Sequence, residues 1–202
     1  MAILHINFSS LLIGFAGVAI SLLLALENTA FLLVVPAYYL AAACFIDTFF
    51  SKIPNILNLI LFGAGAIYNL WVAGLAGFGT ALVGCIVGFS LLLIPYLMGG
   101  GDVKALAALG ALLGPVTIVQ VFLYIALFGG LFSILHYLFS RNFLEKAAGA
   151  GRALMAFAGT RDVEVLRPAT TEKLRFPYAS AIAFGFFSYV QWGSIFTLLK
   201  SL

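Results

Sequence analysis

Charge is what this chain has least of. Its 202 positions carry seven acidic and ten basic residues, eight per cent of the total, while 64% are hydrophobic. Mean hydropathy is +1.17. No soluble domain of this length could bury so much apolar surface, which excludes a water-soluble enzyme and implies a polytopic helical membrane protein in a lipid bilayer. Cysteine is scarce too. Cys44 and Cys85 stand singly within apolar runs, so neither a disulfide framework nor a cysteine zinc site is supported, and both read as small packing residues. The two histidines, His5 and His136, lie at the N-terminus and near the end of a span. No serine–histidine–aspartate pattern surrounds them, and no metal or cofactor is expected. The net charge of +3 is no sign of nucleic acid, because basic residues beside spans ordinarily record topology. The N-terminus also lacks the basic start of a secretory signal, so Leu11 to Leu26 reads as a retained span.

The few charges divide the chain. Ile6–Leu26 and Asn28–Ile46 carry none. Each is close to the ~20 residues that cross a bilayer, and Glu27-Asn28 joins them as a helical hairpin. From Ile53 to Gly101 no residue is charged, enough for two crossings near Ile53–Val72 and Phe78–Leu97, with the turn at Gly74, Gly77 and Gly79. Pro54 suits a helix start, where its missing N–H costs nothing. After Lys104, Gly114-Pro115 separates a short helix (Val103–Leu113) from a longer one (Val116–Phe139). Arg141 to Arg175 is the extended polar segment, with apolar positions at helical spacing that suit a membrane surface. A last span runs from Phe176 to Leu199. The expected fold is an all-α bundle of six to seven transmembrane helices, six if Val103–Leu113 is re-entrant. It divides into an N-terminal helix (1–30), a helical core (31–140), a basic loop (141–175) and a C-terminal helix (176–202). Lysine and arginine excess puts the basic loop in the cytoplasm, and counting back through the spans puts Lys104 and Lys52 there too.

This topology pairs two acids. Asp47 ends one helix, two crossings follow, and Asp102 begins the next, so both return to one face of the membrane. Acids at such depth are costly and mark functional sites. Two close carboxylates share a proton and titrate together. One can then take a proton from water while the other polarises a peptide carbonyl, as in aspartic proteases. Plainer readings stand beside this. Asp47 suits a helix-end residue paired with Lys52, and Asp102 suits an N-cap for the helix from Val103. Lys52 and Lys104 suit topology anchors, and Pro54-Asn55 suits helix-start chemistry. Gly99, Gly100 and Gly101 form either a plain loop or a segment that lets another backbone approach.

Three segments carry a resemblance. Met98-Gly-Gly-Gly-Asp-Val-Lys104 and its sequel to Pro115, Asp47 with Lys52-Ile-Pro-Asn55, and Arg175-Phe-Pro-Tyr-Ala-Ser180 occur in this order. Together they resemble the bacterial type IV prepilin peptidases, membrane aspartic proteases with a GxGD motif. The resemblance implies that 31–140 is the catalytic core, that Asp47 and Asp102 are the catalytic pair, and that Gly99, Gly100, Gly101, Lys104, Lys52, Pro54 and Asn55 shape the site. It also implies a prepilin or pseudopilin substrate, cleaved behind a basic leader at the cytoplasmic face of the bacterial inner membrane. Larger members carry a zinc-binding CxxC segment and methylate the new N-terminus. Nothing of that kind precedes Asp47, and the chain is similar to the short form of tight-adherence (Flp) pilus systems, so methylation is not expected. Lys52 is the lone basic residue between Asp47 and Pro54, where related sequences often have two. A proton-coupled transporter and a non-catalytic pilus or secretion assembly subunit remain as other classes. Transporters of this kind tend to show repeats and mid-span acids, whereas here no clear repeat appears and the acids sit at helix ends.

Overall fold

The computed structural model describes residues 8–93, 100–138 and 178–195, and those residues form six helices and no strand. They are α1 (Phe8–Glu27), α2 (Phe31–Phe50), α3 (Asn55–Leu93), α4 (Gly100–Leu113), α5 (Pro115–Leu138) and α6 (Tyr178–Trp192). Four of them (α1, α2, α3 and α5) are long and apolar enough to cross a membrane. The basic loop, Gly99, His5 and the ends of the final span lie outside the described residues.

The uncharged run after Pro54 becomes the two arms of α3. Helical geometry fails at Ala73 and Gly74, where Gly74 takes a φ of 61°, a left-handed value that costs glycine little. The arms then fold back on one another, bringing Gly77 against the Asn69 carbonyl. Each arm is about the length of one span. The short helix α4 lies along both arms. Gly65 faces the Leu112 backbone on the first arm, while Gly84 and Gly88 face the Gly110 and Leu106 carbonyls on the second. A Cβ at Gly65 would stand 2.7 Å from the Leu112 amide nitrogen, so these helices meet backbone to backbone, as small residues permit in membranes. Asn69 completes the unit. Its Nδ2 donates to the carbonyls of Ala111 (3.1 Å) and Leu112 (3.2 Å), groups that the end of α4 leaves without helical partners. Gly114, at φ 83°, breaks the chain before Pro115 opens α5.

A second unit gathers α1, α2 and α6, and α5 packs between the two, touching α3, α4 and α6. By contrast, α2 meets α3 and α4 through few residues. One buried cluster, including Leu40, Leu61, Leu106, Leu109, Ile125, Ile182 and Phe186, runs through both units.

Two expectations need correction. Asp47 does not end its helix: α2 continues a further turn to Phe50 and closes at Ser51, which adopts φ 50°, ψ 38° and donates its N–H to the Asp47 carbonyl. Thr48, Phe49 and Phe50 are uncharged, so nothing stops the helix at the acid. Nor is Asp102 an N-cap. The helix starts at Gly100, and Asp102 lies within its first turn. Gly100 and Gly101 are therefore helical. The first turn of a helix has free N–H groups in any case, so glycine there forfeits little.

Candidate active site

Asp47 is buried on α2, and its Oδ2 accepts a hydrogen bond from the Ala179 amide, 3.1 Å away at the start of α6. The Tyr178 amide lies alongside as a second backbone donor. A helix N-terminus presents free N–H groups and a positive dipole end, so it suits a carboxylate. The acid thus joins two helices whose contacting residues are 132 positions apart. It takes this bond from α6 and not from Lys52, whose side chain is exposed.

The back of this joint is closed by α1. A Cβ at Gly17 would stand 2.8 Å from Ser180 Oγ and 3.0 Å from Cys44 Sγ, and Gly14 packs against Thr48. Thr48 Oγ1 donates to the Cys44 carbonyl at 2.6 Å, within α2. Glycine at two positions three residues apart lets α1 press α2 and α6 together directly behind Asp47. Ala179 and Ser180 belong to the Arg175–Ser180 segment noted in the sequence, without a role assigned to them there, whereas Gly14 and Gly17 were not anticipated. The Gly14–Gly17 spacing was the available signal, together with the Tyr178-Ala-Ser180 segment.

Asp102 approaches from the other unit. It is half-buried and lies within electrostatic reach of Asp47. The side chains of Tyr39 and Tyr178 lie within reach of Asp102 as well. Lys104, two residues on and exposed, donates from Nζ to Asn55 Oδ1 at 2.9 Å. This bond ties the second turn of α4 to the first residue of α3. Pro54 sits one residue before α3, and its carbonyl accepts from the amide of Leu57 at 3.1 Å. Of the residues singled out from sequence, Asp47, Asp102, Lys104, Pro54 and Asn55 thus gather at one end of the bundle. Gly100 and Gly101 lie in the helical turn that carries Asp102, and Lys52 is exposed. Tyr39 and Asn58 belong to the same neighbourhood and were not anticipated; Tyr39 Oη donates to Asn58 Oδ1 at 2.6 Å, both side chains buried. Among the described residues no group of three His, Cys, Asp or Glu side chains converges as a metal site.

Fold and site define a multi-pass helical membrane protein with two acids brought together from separate helical units. A family model for the type IV leader peptidase family matches residues 34–134, half of the chain, and the chain belongs to that family. The match contains both acids, Lys52 to Asn55, and all of α3 and α4. Among curated proteins, it is 36% identical over 107 residues to a prepilin leader peptidase/N-methyltransferase of Aeromonas salmonicida (strain A449), covering 48% of this chain and 36% of the relative. It is 32% identical over 134 residues to a protein of the same name from Aeromonas hydrophila, covering 61% of this chain and 46% of the relative. The aligned region therefore spans less than half the length of these relatives. No solved structure matches the chain.

Proposed function

We propose that this protein is a membrane aspartic endopeptidase that cleaves the basic leader of type IV or Flp-type prepilins or pseudopilins at the cytoplasmic face of the bacterial inner membrane. The observation that carries this reading is that Asp102, on one helical unit, lies within electrostatic reach of Asp47 on the other, within a family whose relatives are named for leader cleavage. The orientation rests on the basic residues of Arg141–Arg175, which hold a segment on the cytoplasmic side. The reading takes up the peptidase activity named for the relatives and leaves their N-methyltransferase activity aside.

The chemistry needs only the two carboxyl groups and water. With one proton between them, the ionised acid removes a proton from water as its oxygen attacks the scissile carbonyl. The protonated acid hydrogen-bonds the carbonyl oxygen and takes up the developing negative charge. Collapse of the tetrahedral adduct breaks the C–N bond. The leaving nitrogen receives a proton from the pair, giving a free carboxylate on the leader and a new N-terminus on the mature protein. Lys104 and Asn55, joined at the membrane edge, shape the approach to these acids.

The test is leader cleavage by purified protein in lipid vesicles, with a prepilin bearing a basic leader as substrate. Asp47→Asn and Asp102→Asn should each abolish cleavage while membrane insertion persists. Full processing by either variant would overturn the proposal, and would favour a non-catalytic assembly role.

A further inference from the structure

The two acids belong to units that are each tightly built but sparsely joined where the acids meet. On one side, α3 and α4 touch through glycine backbones at Gly65, Gly84 and Gly88, contacts with no side chain to yield. On the other, α2 is seated by Gly14 and Gly17 of α1 and by the Asp47 bond to α6. Between them, α2 touches α3 and α4 at few residues. Along this seam two side-chain pairs among the described residues, one aromatic and one hydrogen-bonded, stand beside the apolar cluster that runs through both units. Phe31 stacks on Tyr68 with ring centroids 4.8 Å apart, and Tyr39 donates to Asn58 at 2.6 Å.

The second pair is the one close to the acids. Tyr39, Ala43 and Asp47 recur every four residues and share one face of α2. Tyr39 lies eight residues from Asp47, about 12 Å along the helix, whereas Phe31 lies sixteen away, about 24 Å. Tyr39 also lies within electrostatic reach of Asp102, and Asn58 stands one turn beyond Asn55, the residue that Lys104 grips. The pair is costly to bury. Asn58 is 6% exposed and Tyr39 7%, and Asn58 Nδ2 has no hydrogen-bond partner among the described residues. A buried amide donor left without a partner keeps its desolvation penalty uncompensated, and two apolar residues of similar shape would avoid it. A fold selected for stability alone would have little use for this arrangement.

We infer that the Tyr39–Asn58 hydrogen bond is a positioning element that sets the separation of the Asp47 and Asp102 carboxyl groups by fixing α2 against α3. This inference rests on the reading of the two acids as the catalytic pair. The bond holds one catalytic unit in register with the other, so its loss shifts the pair without removing any group that reacts. A displacement of about 1 Å can lower an enzyme's rate by about a hundredfold.

The experiment pairs a kinetic and a geometric readout on the full-length protein in vesicles. Tyr39→Phe/Asn58→Leu removes both polar partners while keeping the ring at 39 and the four-atom branched skeleton at 58, so the thermal midpoint should stay within a few degrees of the parent. The kcat for leader cleavage should fall at least tenfold with KM changed less than twofold. Each single variant should account for most of the fall, since either one breaks the bond. In parallel, Asp47→Cys/Asp102→Cys in a Cys44→Ala/Cys85→Ala background is treated with bis-maleimide cross-linkers of graded length, which alkylate two thiols by addition. The shortest linker that closes the pair should change when Tyr39→Phe/Asn58→Leu is added. An unchanged linker profile overturns the inference whether or not the parent cleaves prepilins, so its failure is separable from failure of the proposed activity. Parental kcat in the double variant overturns it equally. Should the double variant fail to insert, Tyr39→Phe alone keeps the ring and carries the same two expectations.

Discussion

The unit that carries Asp47 and the unit that carries Asp102 are built on different terms. The α3–α4 unit is joined by glycine backbones and by Asn69 on the last carbonyls of α4. The α1–α2–α6 unit is joined at its end by the acid itself, which accepts the first amides of α6. Asp47 therefore has a structural part beside the chemical one proposed for it, whereas Asp102 rides on a helix that is assembled without it. The difference separates two effects that a single substitution usually confounds.

The largest effect follows from this contrast. Replacing either acid by asparagine should lower cleavage by at least about a thousandfold, the scale of removing an essential acid or base. Alanine should distinguish the two. Asp47→Asn keeps an oxygen for the Ala179 amide, but Asp47→Ala leaves buried N–H groups at the start of α6 unpaired, a loss of about 1–3 kcal/mol. Asp102→Ala should leave stability close to that of the parent. Thermal unfolding of the four variants in detergent checks this, and equal losses for Asp47→Ala and Asp102→Ala would erase the contrast.

The next effect tests the glycine-built unit. A side chain at Gly84 or Gly88 meets a carbonyl of α4 directly, and backbone yields far less than a side-chain tip. Gly84→Val should destabilise by about 1–3 kcal/mol or more from overpacking, and it should lower kcat by moving α4 with Asp102. Gly63, which has nothing near its Cβ direction, is the control, and Gly63→Ala should be indistinguishable from the parent. Smaller again is Gly17→Ala behind Asp47. The new methyl meets the tips of Ser180 and Cys44 at about 3 Å, side chains that can shift by tenths of an ångström. Stability should fall by about 1 kcal/mol, at the low end of overpacking costs, with cleavage reduced severalfold. Scanning calorimetry and single-turnover cleavage read both.

Much of this architecture was legible in the sequence for one physical reason. A charge inside a bilayer is expensive, so the uncharged runs of Ile6–Leu26, Asn28–Ile46 and Ile53–Gly101 outline helices well. The same economy returned Asp47 and Asp102 to one face. Which helix faces meet was not legible. In a membrane the lipid-facing and protein-facing sides of a helix are both apolar, so α5 shows little amphipathic bias along its length, and periodicity gives no contact map. The Asp47–Ala179 bond, the seat of α1 at Gly17 and the Tyr39–Asn58 pair all depend on faces. The end of α2 was misplaced for a related reason. A charge was read as a boundary, but Asp47 has its partner on α6 and the helix could run on to Phe50.

The smallest effect should come from Lys104, and its size decides what that residue does. Its Nζ holds Asn55 Oδ1 at 2.9 Å on the exposed edge, where water competes for both groups and a bond contributes little. Gly65, Gly84, Gly88 and Asn69 already fix α4 to α3, so the bond is redundant for the fold. Lys104→Met, which keeps an unbranched apolar stem, should leave the thermal midpoint unchanged and lower kcat less than threefold if Lys104 only joins the two helix starts. Asn55→Ala should then give the same small effect, and the double variant no more than either. A rise in KM of tenfold or more in Lys104→Met, absent from Asn55→Ala, would place the ammonium on the substrate. That result would move Lys104 from the framework of the Asp102 unit into the binding surface in front of the acids.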